Sequence, residues 1–167
     1  MHDEGAVHFA GEDAFRDDVA AAYAEVGGEL RALLPHACLN HVGSTAVPGS
    51  LTKGDLDVCV CVGADAFAAA DQALAHVFAR NEGSTRTPTF SAFECTVHGV
   101  PVGVQLVVEG SADDVFVAWR DLLRADPGLR TEYDALKRRF EGAPMERYRE
   151  AKSAFIEERL GRGSAPA

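Results

Sequence analysis

A chain of 167 residues, 47% hydrophobic and 25% charged, has the length of one domain and the composition of a globular protein with a core of its own. No apolar run approaches the ~20 residues that span a bilayer. The 26 acidic and 16 basic side chains give a formal charge of −10, which argues against sequence-independent binding to DNA or RNA but leaves room for a small phosphorylated ligand beside local cations.

The acidic start, Met1-His-Asp-Glu-Gly, lacks the cationic-then-apolar pattern of a signal segment, so a cytoplasmic protein is expected. Phe15, Val19, Tyr23, Val26, Leu30 and Leu33 recur at steps of three and four, which predicts a helix over 13–34 ending at Pro35, with Gly27-Gly28 as a weak point. A short strand over 36–42 and a Gly43-Ser44 turn follow. Residues 55–62 read as a second strand, with Leu56, Val58, Val60 and Val62 on one face and Asp55, Asp57, Cys59 and Cys61 on the other. Apolar on both faces past its start, it is expected to be central. An Ala-rich helix over 65–80 carries Phe67, Leu74, Val77 and Phe78 as its stripe, and 81–88 is a polar loop.

Residues 89–97 and 100–108 alternate as two strands joined at His98-Gly99. Val100, Val102, Val104, Leu106 and Val108 share one face, Gly103, Gln105 and Val107 the other. The last third is helical. Ser111 with Asp114 offers a cap for a helix carrying Val115, Trp119, Leu122 and Leu123. Asp126-Pro127 starts another, with Leu129, Tyr133, Leu136 and Phe140 inward. A third runs from Pro144 through Tyr148, Lys152, Phe155, Ile156 and Leu160. The expectation is one α/β (α+β) domain over 1–160, a small mixed sheet backed by helices, with a flexible tail over 161–167. The four cysteines, Cys38, Cys59, Cys61 and Cys95, contain no CxxC pair. They read as buried reduced thiols rather than zinc ligands or a disulfide framework.

The chemistry concentrates in His41 to Asp57. A P-loop does not fit, because Gly43 to Gly49 is one residue too long and Ser50 stands where lysine is required. A GxGxxG fingerprint is absent. What remains is a Gly-Ser turn, a loop, and Asp-x-Asp at the mouth of an apolar strand. Carboxylates at i and i+2 share a strand face. Beside a turn rich in backbone N–H groups, they make a seat for a divalent cation and its phosphates.

The run His41, Gly43, Ser44, Thr45, Val47, Pro48, Gly49, then Lys53 and Asp57, resembles the marker region of the GrpB-like (UPF0157) family of the nucleotidyltransferase superfamily. Trp119-Arg120-Asp121-Leu122-Leu123, Tyr133 with Leu136-Lys137, and Tyr148 through Ala151-Lys152 to Phe155-Ile156 resemble that family as well. The resemblance implies a nucleotidyltransferase-like fold, Mg2+ on Asp55 and Asp57, and an NTP whose phosphates rest on Gly43 and Ser44. It places Gln105 where the superfamily has a third catalytic carboxylate. Glu94, which faces with Ala92 and Thr96 on the neighbouring strand, is either a substitute for that carboxylate or a solvated rim residue. His41, Thr45, Lys53, Arg120 and Lys152 complete the expected phosphate-binding set; His41 orients the loop, and Lys152 interrupts an apolar stripe.

Three functions fit these residues. One is transfer of a nucleotidyl group from an NTP to a small acceptor. Another is a non-catalytic module that binds a nucleotide or phosphometabolite in a degenerate site. The third is a protein-interaction factor with a vestigial site. Gln105, which cannot act as a base, is the residue that separates the first from the second.

Overall fold

The computed structural model describes residues 5–161. In chain order its elements are β1 (Ala10–Gly11), α1 (Arg16–Leu33), β2 (Cys38–Val42), β3 (Leu51–Thr52), β4 (Leu56–Val62), α2 (Phe67–Val77), β5 (Ala79–Arg80), β6 (Phe90–Val97), β7 (Val100–Val108), α3 (Phe116–Ala125), α4 (Pro127–Arg139) and α5 (Met145–Arg159). The main sheet has the order β2-β4-β7-β6-β5. Its β4–β7 pair is parallel and the other pairs are antiparallel. The fold is therefore a mixed α+β domain, as the alternation of elements predicts.

Two-residue periodicity decides which side of the sheet does what. The apolar faces of β4 and β7 (Leu56, Val58, Val60, Val102, Val104, Leu106) are buried beneath Val19, Val26 and Leu30 of α1 and Phe67, Ala70 and Leu74 of α2. This burial also carries α1 through Gly27-Gly28, since helices in proteins are held mainly by their packed face. The opposite sheet face keeps Cys59 and Val107 buried with Val42, against Phe116 and Val117. The C-terminal helices have a core of their own. Trp119, Tyr133 and Phe155 meet ring to ring, joined by Leu123, Leu129, Leu136 and Val47.

Local chemistry explains most boundaries. His98 and Gly99 both take positive φ (51° and 78°), the two-residue hairpin turn that matches strand twist. Asp126 caps α4 by accepting from the Leu129 N–H at 3.0 Å. The N-terminal segment straps the α4–α5 connection: Val7 N–H donates to Ala143 O, and Gly142 N–H to Val7 O.

Several boundaries differ from the sequence pattern. The strand expected from residue 36 starts at Cys38. The helix expected through residue 80 ends at Val77, because Arg80 turns back as an edge strand to serve a buried carboxylate. Asp71 of α2 accepts from Arg80 (2.8 and 3.0 Å), Arg86 (2.7 Å) and Ser91 (2.7 Å), which holds its pKa down at about 2. Val77, placed on the apolar stripe, is instead 45% exposed. Ser111 and Asp114 do not cap α3, which begins at Phe116 without a side-chain cap. Asp114 instead accepts from Gly110 N–H at 2.9 Å. Cys59 is buried as expected, but Cys38 is exposed and Cys61 and Cys95 are half-buried. Of the expected tail, 162–167 lies outside the described residues.

Candidate functional site

The site lies between the sheet and the C-terminal helices, where the polar ends of β4 and β7 come together. In the ladder Asp57 stands opposite Val42 on one side and Gly103 on the other. Gly103 in turn stands opposite Glu94. These residues form one row across one face. Gln105, one step further along the same face of β7, stands opposite Cys59. Its side chain leans back so that Nε2 donates to Asp57 Oδ1 at 3.2 Å. Its Oε1 is buried and has no hydrogen-bond partner.

Gly43 shows why a glycine precedes the serine. Its φ is +78°, and a Cβ there would collide with the Asp57 carboxylate. Turn and carboxylate are packed backbone against side chain, which L-residues with a Cβ do not allow. Ser44 opens a 3-10 turn over Ser44–Ala46. Three cations hold that turn from behind. Arg120 donates to His41 O at 3.0 Å, and Arg124, four residues on, donates to Ala46 O at 2.8 Å. Lys137 donates to Ser44 Oγ at 2.9 Å and Leu51 O at 2.5 Å. Because Ser44 Oγ accepts from Lys137, its own O–H is left to donate outward.

Lys137 is wholly buried, 3.6 Å from Asp134 and 4.2 Å from the centroid of the Tyr133 ring. Burial drives its pKa down to about 7, with Asp134 opposing the shift. Sequence reasoning noted Lys137 only within a family pattern and missed this role. The available signal was its position four residues after the inward Tyr133, on the apolar stripe of α4.

His41 and Thr45 lie behind the turn. Thr45 Oγ1 donates to Asp55 O at 2.8 Å and is 2.9 Å from His41 Nε2. Thr45 thus accepts from a neutral Nε2–H tautomer. Burial, reinforced by Arg124 and Arg120, pushes the His41 pKa down to about 4, and the ring stacks on Tyr23 at 5.4 Å. Both hydroxyl and imidazole are occupied in fixing the loop.

Asp55, Asp57, Lys53 and Lys152 converge in front of the turn, where with Ser44, Thr52, Phe9 and Tyr148 they line a crevice of about 90 Å³. Lys53 Nζ is 3.1 Å from Asp55 Oδ2. Burial raises the Asp57 pKa, and Lys152 is the main opposing influence. An open crevice of about 950 Å³ shares Lys53, Asp55, Asp57 and Lys152 and adds Glu94, Gln105 and Arg149. A narrower cavity of about 150 Å³ lies on the other side of Asp57, Gln105 and Lys152, with Ser44 and Arg120 in its lining.

No group of three or more His, Cys, Asp or Glu side chains able to hold a metal ion occurs among the described residues. Glu94 is exposed and two strand spacings from Asp57, about 10 Å, too far to share an ion with it directly. The two aspartates nevertheless suit Mg2+ arriving with phosphates. That ion commonly binds through one or two carboxylates, substrate oxygens and waters, not in an all-protein cage.

A family model described as GrpB protein matches residues 14–162. A UPF0157 protein of Vibrio cholerae is 35% identical over 156 residues, covering 93% of this chain and 82% of the relative. Among solved structures, the conserved protein GrpB of Enterococcus faecalis superposes with a TM-score of 0.63 at 15% identity, over 91% of each chain. The Cid1 poly(U) polymerase in its MgGTP-bound form superposes with a TM-score of 0.51 at 18% identity, over 71% of this chain and 40% of Cid1. The chain thus has a nucleotidyltransferase-like fold and spans less than half the polymerase's length.

Proposed function

The chain belongs to the GrpB protein family, and from that premise we propose that its cleft binds the triphosphate of an NTP with Mg2+ and passes the nucleotidyl group to a small acceptor. The observation that carries the reading is the convergence of Ser44, Asp55, Asp57, Lys53 and Lys152 on one crevice. Asp55 and Asp57 would hold the ion. Bound there, Mg2+ would neutralise phosphate charge and hold the transferring group in line. Ser44 O–H, fixed by Lys137, would donate to a phosphate oxygen. Lys53 and Lys152 would offset the remaining negative charge, while Arg120, His41 and Thr45 keep the turn in place. A structural neighbour crystallised with MgGTP supports this use of the fold. A net charge of −10 favours a small acceptor over RNA.

A specific observation favours a second reading, a non-catalytic nucleotide-binding module. Gly103 and Gln105 occupy the β7 positions beside Asp57 and Cys59, so β7 adds no third carboxylate to take the acceptor's proton while the aspartate pair holds the ion. Isothermal titration with each NTP, with and without magnesium, tests binding. The expected result is Mg2+-dependent binding that is lost in Asp57→Asn. No binding of any NTP at millimolar concentration would overturn both readings. Product formed from labelled NTP and a metabolite extract separates enzyme from module, and a Gln105→Asp variant should raise any turnover.

A further inference from the structure

Two spaces of opposite character meet at Asp57. The open crevice of about 950 Å³ is bordered by Lys53, Arg149 and Lys152 and by Asp55, Asp57 and Glu94, a setting for an anion that brings its own cation. The narrower cavity of about 150 Å³ has an apolar wall of Val42, Phe116, Trp119, Leu123, Tyr133 and Ile156, and the Gly43-Ser44 turn lines it as well. A cavity of that size with such walls holds one benzene-sized ring. The two spaces share Asp57, Gln105 and Lys152, so a ligand in each would meet at those three side chains.

The polar end of the narrower cavity defines the ligand further. Arg120 is balanced by Asp121 at 2.9 Å, and Lys152 offsets Asp57. With charges already balanced, a neutral ligand fits better than an ammonium or a carboxylate. Asp57 can accept a hydrogen bond, Gln105 Oε1 has no partner, and Lys152 can only donate. A hydroxyl group donates one hydrogen bond and accepts another, so it suits the unpartnered Gln105 Oε1 and the Lys152 ammonium together.

We propose that this cavity is the second-substrate subsite, built for a small neutral molecule with one six-membered ring and a hydroxyl directed at Gln105 and Lys152. The assignment of this ligand as the partner of a nucleotide rests on the function proposed above; the cavity's fit to the ligand does not.

Trp119 is the single tryptophan of the chain, 7% exposed in the cavity wall, so its fluorescence reports occupancy. Benzyl alcohol should change Trp119 emission saturably in the millimolar range. Benzyl methyl ether, which cannot donate, should bind about five- to tenfold more weakly. Ile156→Phe should abolish the response by filling the cavity. Leu123→Ala should admit 2-naphthalenemethanol, which the wild type refuses. Both variants should still bind Mg-ATP, and Mg-ATP should not displace the alcohol. The proposal is overturned by an unsaturable response, by equal affinity for alcohol and ether, or by competition with Mg-ATP, which would make the cavity a nucleobase pocket. Saturable alcohol binding in a protein that binds no NTP would uphold the site and overturn the nucleotide reading alone.

Discussion

Lys137 shows how a single charge is put to use by its surroundings. An ammonium without water is costly, and this one is kept by donating to Ser44 and Leu51 and lying over Tyr133. Its folded pKa of about 7 lies below the ordinary 10.5. The unfolded chain therefore binds the proton more tightly, and stability should rise with pH between about 7 and 10.5. Lys137→Met removes that dependence. Urea unfolding at pH 7 and pH 10 should show the wild type gaining on the variant by on the order of 2 kcal/mol. Nucleotide affinity should fall about tenfold in the variant, as Ser44 loses its anchor. Asp57 is the converse case, a carboxylate whose pKa is raised by burial. Asp57→Asn relieves that cost, and Gln105 can turn its amide so that Oε1 accepts from the new side chain. Without magnesium at pH 7, the variant should melt about 2–4 °C higher, an effect of roughly 1 kcal/mol in a domain of this size. The gain should shrink as the pH falls and Asp57 takes up its proton. Scanning calorimetry of the two proteins across pH checks both statements.

At the scale of elements, what could be read from the sequence follows from how local its cause is. Strand alternation at 56–62 and 100–108 and the His98-Gly99 turn are written in adjacent residues, and all form. Asp126-Pro127 is likewise local. Asp126→Ala should cost about 1 kcal/mol, with α4 frayed at its first turn; urea unfolding measures the first and hydrogen exchange at Leu129 the second. Ser111-x-x-Asp114 has the same spacing logic but lost to a tighter turn in which Asp114 caps Gly110 N–H. The end of α2 was not legible, because the cause is distant: Arg80 pairs with Asp71 nine positions back. The site divides in the same way. Gly43, Ser44, Asp55 and Asp57 were visible as a motif. Gln105 was visible, but its neighbour Gly103 as the residue directly beside Asp57 depended on the parallel β4–β7 register. Lys137 and Arg124, which support the turn through helix packing, were not.

For the molecule as a whole, the two faces of one sheet have separate tasks. The face against α1 and α2 is continuous apolar core. The other face holds the carboxylates and is roofed by helices that pack mainly on one another through Trp119, Tyr133 and Phe155. No helix among the described residues is long and apolar enough to cross a membrane. A ligand at Asp57 touches β4, the Gly43-Ser44 turn and Lys152 of α5 at once, and so bridges the sheet to the helical roof. Without it, the roof is held by its own ring cluster, the packing of Phe116 and Val117 on the sheet, the turn contacts of Arg120, Arg124 and Lys137, and the strap at Val7. Regions with fewer buried contacts open at lower free energy than the core, and a ligand bound only to the closed arrangement suppresses that opening in proportion to its occupancy. Saturating Mg-NTP should therefore slow amide exchange in α5 and across 43–52 by tenfold or more. Exchange in α2, on the far face, should change by less than twofold. Equal protection on both faces would mean that the whole domain opens as one unit and that the roof has no independent motion.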